Sequence, residues 1–165
     1  MANPDIEQRL AALESRVTQL EDQLAIHKLI NSWGPAVDGD NPAAAASIWA
    51  DDGVLLSELE DTRLEGPAAV AEMVRYEGHQ QLIRAGSAHI QSFPVIELNG
   101  DTAKAVGFSR VYLHTADGGH EVWRVSANRW DFRRTPEGWR VTRRKNHRID
   151  GGPEARAILN QAFEN

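Results

Sequence analysis

At 165 residues, with 41% hydrophobic and 25% charged residues, the chain suits a single folded domain with a substantial core. Its net charge of −6 and pI near 5.5 argue against nucleic acid or an anionic membrane as a partner, because both require a basic surface. The absence of cysteine excludes disulfides, thiolate metal sites and cysteine nucleophiles.

No stretch of the sequence reaches the ~20 apolar residues that a membrane-spanning helix needs. The first ten residues also lack the basic and apolar regions of a secretory signal. These features predict a cytoplasmic protein without a membrane partner.

A repeat of apolar residues opens the chain. Its members recur in steps of 4, 3, 4, 3 and 4 residues, which is a heptad pattern. They are Ile6, Leu10, Leu13, Val17, Leu20 and Leu24. We expect residues 1–22 to form a helix that associates with a second copy of the chain, giving a dimer or trimer. Packing of the repeat against its own domain is the alternative.

The same helix is predicted to continue to Val37, with Gly34-Pro35 kinking or interrupting it because Pro35 has no backbone N–H to donate. The turn residues 38–41 end it, and Pro42 opens a short helix over 43–49.

Strand patterns dominate the rest of the chain. A hairpin (54–59 and 62–64) and a helix (68–76) precede four long strands, predicted at 89–98, 102–115, 121–134 and 138–150. Residues 153–163 read as a final helix or tail. The order predicts an α+β fold, in which helices cover the mouth of a cone-like barrel made by a strongly curved, mainly antiparallel sheet. We assign residues 23–150 to this barrel and 151–165 to the tail, and expect room for a small apolar ligand.

Two polar residues stand where a core would normally be apolar. Asp38 lies where the long helix runs out, and His89 begins the first long strand. Taken singly, each has an ordinary structural explanation, as a helix-end carboxylate and as a strand-end histidine. As a pair they predict proton transfer, because a carboxylate that accepts the Nδ1–H of a histidine leaves Nε2 as a base.

The other candidates carry weaker signals. No histidines show the spacing of a helical metal site, so no metal ion or cofactor is expected. Trp33 lies just over one helical turn before Asp38 and is the best candidate for a pocket wall. In the strand at 121–134, the sequence leaves open which alternate set of residues faces inward. The basic run at 140–148 alternates with apolar residues and is interpreted as a strand rather than a nucleic-acid site.

The chain resembles a known family in the order and spacing of several short patterns. These are Ile26-x-x-Leu29-Ile30 with Val37-Asp38, then the run at 46–53, then Glu65-Gly66-Pro67 before a helix, and the run at 138–141. They are similar to the nuclear transport factor 2-like superfamily. The narrower resemblance is to its SnoaL-like branch, which includes scytalone dehydratase, hexachlorocyclohexane dehydrochlorinase and bile-acid 7α-dehydratase. It covers roughly residues 22 to 150.

The resemblance implies a cone-like α+β barrel and a cofactor-free elimination by a histidine–aspartate dyad, here His89 and Asp38. By the same placement it implies that five residues lie near the pocket, namely Trp33, Leu55, Arg84, Ser87 and Val125. One departure stands out: dehydratases of this kind hold a tyrosine about one turn before the aspartate, where this chain has Trp33. Tyr76, Tyr112 or an arginine would then have to polarise the substrate.

Three functional hypotheses follow. The first is a cofactor-independent lyase or isomerase, dehydratase-like, acting on a small hydrophobic ring compound such as a polyketide, steroid or terpenoid. The second is a non-catalytic protein that binds a small hydrophobic molecule in the same cone. The third is an interaction subunit that assembles through its N-terminal helix.

Overall fold

The computed structural model describes residues 4–164, so the first three residues of the predicted N-terminal helix lie outside the described part. Its helices are α1 (Pro4–Asp38), α2 (Pro42–Ser47), α3 (Gly66–Arg75), α4 (Glu77–Arg84) and α5 (Pro153–Asn160). Its strands are β1 (Trp49–Ser57), β2 (Thr62–Glu65), β3 (Ser87–Gln91), β4 (Val95–Asn99), β5 (Thr102–His114), β6 (His120–Thr135) and β7 (Gly138–Arg148). None of these helices combines the length and apolar character needed to cross a membrane.

The strands form one curved, unclosed sheet in the order β2-β1-β7-β6-β5-β3. β1 runs parallel to β7, and the other neighbours are antiparallel. β3 and β4 lie end to end along the same edge of β5. The predicted α+β class with a strongly curved, mainly antiparallel sheet is therefore confirmed.

The core lies between the inner face of this sheet and the second half of α1. Ile26, Ile30, Trp33 and Val37 share one face of the helix and are all buried. They pack in one cluster with side chains of the sheet that include Trp49, Trp130, Phe132 and Trp139. This packing fixes the end of α1 over the sheet, where Asp38 lies.

Of the kink or interruption predicted at Gly34-Pro35, the interruption is wrong, because α1 runs unbroken through Pro35 to Asp38. Pro35 has no N–H for the carbonyl of Asn31, and the packing of Trp33 and Val37 in the core stabilises the last turn in spite of this loss. Gly34 has a separate role. A Cβ at this position would stand 2.0 Å from the backbone oxygen of His89, so only glycine lets α1 approach β3 this closely.

The strand predicted over residues 89–98 is also wrong, since the structure has two strands there. Three residues, Ser92–Pro94, lie opposite only two residues of β5, Gly107 and Phe108. Pro94 has no N–H for the ladder, and the Ser92 hydroxyl accepts the backbone N–H of Phe108 at 2.8 Å. The chain bends at this point and pairing resumes with β4.

Two helical stretches differ from the prediction. The short helix α2 ends at Ser47, so Trp49 begins strand β1 rather than closing a helix. Between the helix and the strand predicted at 68–76 and 89–98, the structure has a further helix, α4. Its sequence contains Gly78 and only two aliphatic residues, Leu82 and Ile83, which are too few to show a helical period.

The C-terminal helix α5 packs on the sheet. Ala155 and Ile158 are buried against Ala127 of β6, in a small cluster separate from the main core. The described part of the C-terminal segment therefore belongs to the body of the fold.

Candidate functional site

Asp38 and His89 meet where the end of α1 crosses the start of β3. His89 Nδ1–H donates to Asp38 Oδ1 at 2.6 Å, and the His89 backbone N–H donates to Oδ2 at 2.6 Å. The Ser87 hydroxyl donates to Oδ1 at 2.8 Å. Because a carboxylate can only accept these bonds, the proton of the imidazole lies on Nδ1, and Nε2 is left as its basic nitrogen.

Both side chains are largely withdrawn from solvent, with exposures of 11% for His89 and 19% for Asp38. Burial lowers the pKa of His89, and this outweighs the opposite effect of Asp38. Burial raises the pKa of Asp38, but the hydrogen bonds from His89 and Ser87 bring it below its usual value of 3.8. At neutral pH the pair is therefore a carboxylate and a neutral imidazole.

His89 opens onto a small cavity of about 120 Å³, which we call the dyad cavity. Its apolar lining includes Trp33, Val37, Leu55, Leu64 and Met73. Its polar lining consists of Ser57, Thr62, His79, His89, Arg124, Arg144 and Asn146. A base thus faces a small, partly open cavity that is also lined by hydrogen-bond donors.

The dyad cavity continues outward into a larger space of about 820 Å³, which we call the vestibule. The two share seven lining residues, namely Leu59, Thr62, Leu64, Met73, His79, Leu82 and Trp123. The vestibule adds Tyr76 and small residues of α3 and α4, namely Ala69 and Gly78. A ligand could therefore place one end beside His89 and the rest of its surface against these walls.

Arg144 of β7 is the most unusual residue of the dyad cavity. It is only 3% exposed, and none of the salt bridges among the described residues involves it. Its guanidinium lies against the faces of two indole rings that are nearly perpendicular to each other, 4.9 Å from the centroid of Trp33 and 4.3 Å from that of Trp130. Nε and Nη2 donate to Asn128 Oδ1 at 3.1 and 2.9 Å. Burial lowers the pKa of Arg144 to about 9, so the group is still a cation at neutral pH.

Arg124 brings a second cation to the cavity, and a bulge in β6 explains how it gets there. Val111 of β5 pairs with Arg124 and Tyr112 pairs with Val122, which leaves Trp123 without a partner. A bulge re-aims the side chains around it, so the adjacent residues Trp123 and Arg124 both line the cavity. Strict alternation along the strand, as the sequence suggests, cannot produce this arrangement.

Some polar atoms of the cavity wall are buried without a hydrogen-bond partner among the described residues. These include Oδ1 of Asn146 and Nε of Arg124. A buried polar group that lacks a partner costs free energy, so such groups favour a ligand that carries its own polar atoms. The cavity is therefore suited to a compound with an oxygen function rather than to a pure hydrocarbon.

His79 of α4 supports the end of α1. Its Nε2–H donates to the backbone oxygen of Val37 at 2.9 Å, and its ring centroid is 5.8 Å from that of His89. The Val37 carbonyl belongs to the last turn of α1, whose oxygens have no partner within the helix. His79 thus ties α4 to the residue that precedes Asp38.

The other residues predicted near the pocket divide into two groups. Trp33 and Leu55 line the dyad cavity, and Ser87 holds Asp38. Arg84 does not reach the cavity, because it lies on the exposed side of α4 and pairs with Glu77. Val125 is absent from the lining because the alternation of β6 turns it away from Arg124 and opposite Arg110.

Arg144, Arg124, Asn146 and His79 were not singled out as site residues from the sequence. No local signal marks Arg144, because it is the middle residue of the basic run Arg143-Arg144-Lys145. Among the described residues, no group of three or more histidine, aspartate or glutamate side chains is placed to hold a metal ion.

Comparison with known proteins agrees with this architecture. The SnoaL-like domain model matches residues 18–145. A search of the curated proteins gave no match. An NTF2-like protein with a cystatin-like fold from Novosphingobium aromaticivorans is 38% identical, with a TM-score of 0.87 over 91% of this chain and 96% of that chain.

Hexachlorocyclohexane dehydrochlorinase LinA-type3 from Novosphingobium barchaimii is 16% identical, with a TM-score of 0.70 over 81% of this chain and 90% of that chain. At this identity the likeness concerns the fold alone. The domain match and the 38% identity to the first structure decide the family: the chain belongs to the SnoaL-like domain family of the NTF2-like superfamily.

Proposed function

We propose that this protein is a cofactor-independent lyase or isomerase that removes a proton from a small, mostly apolar ring compound bearing a carbonyl group. One observation carries the proposal: a neutral histidine, oriented by a largely buried carboxylate, lines the same cavity as two guanidinium groups. A base opposite a cation is the arrangement needed to move a proton from carbon while negative charge develops on oxygen.

The reaction begins when Nε2 of His89 takes a proton from a carbon next to the carbonyl. The C–H electron pair forms a C=C bond, and the carbonyl π pair moves to oxygen, giving an enolate. In an isomerase, the substrate also carries a C=C bond at the β,γ position, so the first step gives a dienolate, which recovers the proton from His89 at the γ carbon and leaves the C=C bond conjugated with the carbonyl. In a lyase, the electron pair expels a leaving group from the β carbon, and the proton on His89 passes to that group or to solvent. Asp38 stabilises the imidazolium in both cases and stays ionised.

Arg144 is suited to stabilise the enolate oxygen. Its contacts with Trp33 and Trp130 and its two hydrogen bonds to Asn128 hold the guanidinium in place, and its buried charge acts in a medium of low dielectric constant. The tyrosine expected one turn before the aspartate is Trp33 in this chain. Trp33 has no acidic group, but it contacts Arg144, which replaces the tyrosine as the group that polarises the carbonyl. Tyr76 lies outside the dyad cavity, in the vestibule.

The dimensions of the site indicate the kind of substrate. The dyad cavity, at about 120 Å³, is large enough only for the reacting end of a molecule, whereas the vestibule, at about 820 Å³, can hold a fused ring system. The walls that both spaces share are mainly apolar. Polyketide, steroid and terpenoid skeletons with a ring carbonyl meet these requirements.

The comparisons lend support at the level of fold. Hexachlorocyclohexane dehydrochlorinases, which by their name eliminate a chloride and a proton, share this architecture at 15–16% identity. Elimination on a ring is therefore a chemistry that the architecture can host, although fold alone does not assign it to this chain.

A direct test follows proton abstraction rather than a finished product. The protein is incubated in D₂O with a panel of cyclic ketones and enones, and ¹H NMR records the loss of signal at the carbons next to the carbonyl. We expect catalysed exchange for at least one ring class, reduced about 10²- to 10⁴-fold by His89→Ala, the range general-base catalysis contributes. Asp38→Asn should also reduce it.

Two exposed residues provide matched controls. Asp40→Asn changes a carboxylate two residues from Asp38, and His114→Ala removes a histidine on the surface. Both should exchange substrate protons at the wild-type rate. If His89→Ala and Asp38→Asn, shown to be folded by circular dichroism, match the wild type on a compound that exchanges, the mechanism is wrong.

A second candidate function is the binding of a small hydrophobic molecule without chemistry. The observation in its favour is the missing tyrosine, since the cavity then lacks a side-chain acid at the position that dehydratases use. In this case a bound ring compound would be recovered unaltered and undeuterated after long incubation, and the dyad variants would still bind it.

A further inference from the structure

The six apolar residues of the N-terminal heptad repeat form an exposed stripe on α1. Ile6, Leu10, Leu13, Val17, Leu20 and Leu24 are 52–68% exposed, although they belong to a continuous helix of 35 residues. Apolar side chains in this number and spacing are costly to leave in water, and an isolated helix of this length gains most of its stability from packing. We call these six residues the heptad stripe.

The heptad stripe points away from the body of its own protein. Asp22 and Ile26, two positions before and after Leu24, lie about 160° around the helix from it. Both face the body: Ile26 is fully buried, and Asp22 accepts Trp139 Nε1–H at 2.9 Å and Arg134 Nη2–H at 2.6 Å. The rest of the body-facing stripe, including Ile30 and Trp33, continues on that side. A partner helix can therefore lie along the heptad stripe without meeting the sheet.

The charges that flank the stripe identify the partner. With Leu10, Val17 and Leu24 at position a of the heptad, position e holds Glu7, Glu14 and Glu21, and position g holds Arg9, Arg16 and Gln23. In a parallel pair, each g residue faces the e residue of the following heptad in the other helix. Arg9 then faces Glu14 of the second helix, and Arg16 faces Glu21, so every charged contact is attractive.

The opposite orientation is disfavoured by the same residues. An antiparallel pair brings g against g and e against e, which sets arginine against arginine and glutamate against glutamate. The central heptad adds a preference for two strands, because β-branched Val17 occupies position a between Leu13 and Leu20 at position d. We infer that a second copy of this chain binds the heptad stripe in register, forming a parallel two-stranded coiled coil over residues 6–24.

The mass in solution tests the existence of this contact. We expect the full chain to form a dimer that dissociates in the variant Leu13→Glu/Leu20→Glu. Both positions are exposed in the single chain, so the body should remain folded. All five tryptophans lie beyond residue 22, and their unchanged near-ultraviolet circular dichroism would report that fold. Ala11→Glu/Ser15→Glu adds the same charge outside the stripe and should leave the mass unchanged.

Cysteine cross-linking tests the orientation, since the natural chain has no cysteine. In a parallel pair Ile6 lies opposite its own copy, so Ile6→Cys alone should form a disulfide-linked dimer on mild oxidation. In an antiparallel pair Ile6 lies near Leu24 of the other helix, and only a mixture of Ile6→Cys with Leu24→Cys would cross-link.

Charge exchange provides an independent measurement. Arg9→Glu/Arg16→Glu makes every e and g charge in the pair acidic and should raise the dimer dissociation constant. Adding Glu14→Arg/Glu21→Arg to the same chain restores attraction only in the parallel arrangement. Three results would each overturn the inference: a monomeric wild type, a mass unaffected by the stripe variant, or cross-linking of only the mixed cysteine pair. A trimeric mass would overturn the two-stranded form.

Discussion

Gly34 of α1 lies directly against the backbone of His89, so that a Cβ on the glycine would stand 2.0 Å from the carbonyl oxygen of the histidine. The contact is between two backbones, with no flexible side chain that could move aside. It sets the distance between α1, which ends in Asp38, and β3, which contains His89. The geometry of the Asp38–His89 hydrogen bonds therefore depends on a residue that takes no part in them.

Replacing Gly34 by alanine should push β3 away from α1. We expect a loss of about 1–3 kcal/mol in the free energy of unfolding, the usual cost of overpacking a core, measured by urea denaturation. Lys28→Ala, an exposed change on the same helix, is the matched control and should change stability by only a few tenths of a kcal/mol. A Gly34→Ala protein as stable as the wild type would mean that the two backbones can separate freely.

The titration of His89 can be measured without a substrate. Because burial lowers the pKa of His89 against the opposing effect of Asp38, the imidazole should titrate below its usual value of 6.5 in NMR spectra. Asp38→Asn removes the negative charge and should lower the pKa further. Asp40→Asn should leave the titration as it is. A His89 pKa that rises on loss of the Asp38 charge would contradict this account of the site.

The stability of the protein should fall as the solution is acidified. The folded pKa of His89 lies below 6.5, so in the window below that value the unfolded chain binds more protons than the folded one. The contribution is complete above pH 6.5 and is lost as pH falls toward the folded pKa. Asp38, whose folded pKa lies below 3.8, adds a second loss in the same direction at lower pH.

Urea denaturation over pH about 4 to 7.5 checks this dependence. His89→Gln removes the first window and should flatten the slope of unfolding free energy against pH just below pH 6.5. The slope at lower pH, which carboxylates produce, should persist in this variant. An unchanged slope in His89→Gln would show that another group titrates there.

The variant Arg144→Met should lose proton-exchange activity while the protein remains folded. We expect catalysed proton exchange to fall about 10²- to 10³-fold, as on removal of a donor that stabilises an oxyanion. The methionine can still pack against Trp33 and Trp130, and no buried charge has to be desolvated. Asn128 loses its two donors, so the expected loss of stability is limited to about 1–3 kcal/mol. Full exchange activity in Arg144→Met would remove the arginine from the mechanism.

Much of the fold could be predicted because local patterns and packing agree. The helix through Val37, the hairpin turns and the long strands of the meander each carry a clear period. The sequence does not predict the break at residues 92–94 or the helix α4, because tertiary contacts determine the structure of both. Residues 92–94 bend because three residues lie opposite only two residues of β5. Helix α4 is stabilised by burial of His79 rather than by its own helix propensity.

Only part of the candidate site can be predicted from the sequence, for a similar reason. Asp38 and His89 occupy the ends of predicted elements, so their approach could be expected from the resemblance. Arg144 has a basic residue on either side, Arg143 and Lys145, and both of these are exposed. Its burial arises from the curvature of the sheet and from two tryptophans that lie 111 and 14 residues away along the chain, at positions 33 and 130. No local pattern contains that information.

The three indoles of Trp33, Trp49 and Trp130 have ring centroids 6.0 to 6.4 Å apart, and a guanidinium lies against two of them. Chromophores this close share their excited states, and a neighbouring cation shifts the emission wavelength. A compound that enters beside Arg144 therefore alters light absorbed and emitted by the protein itself. The cavity contains its own optical reporter, and candidate ligands can be screened by fluorescence without any label.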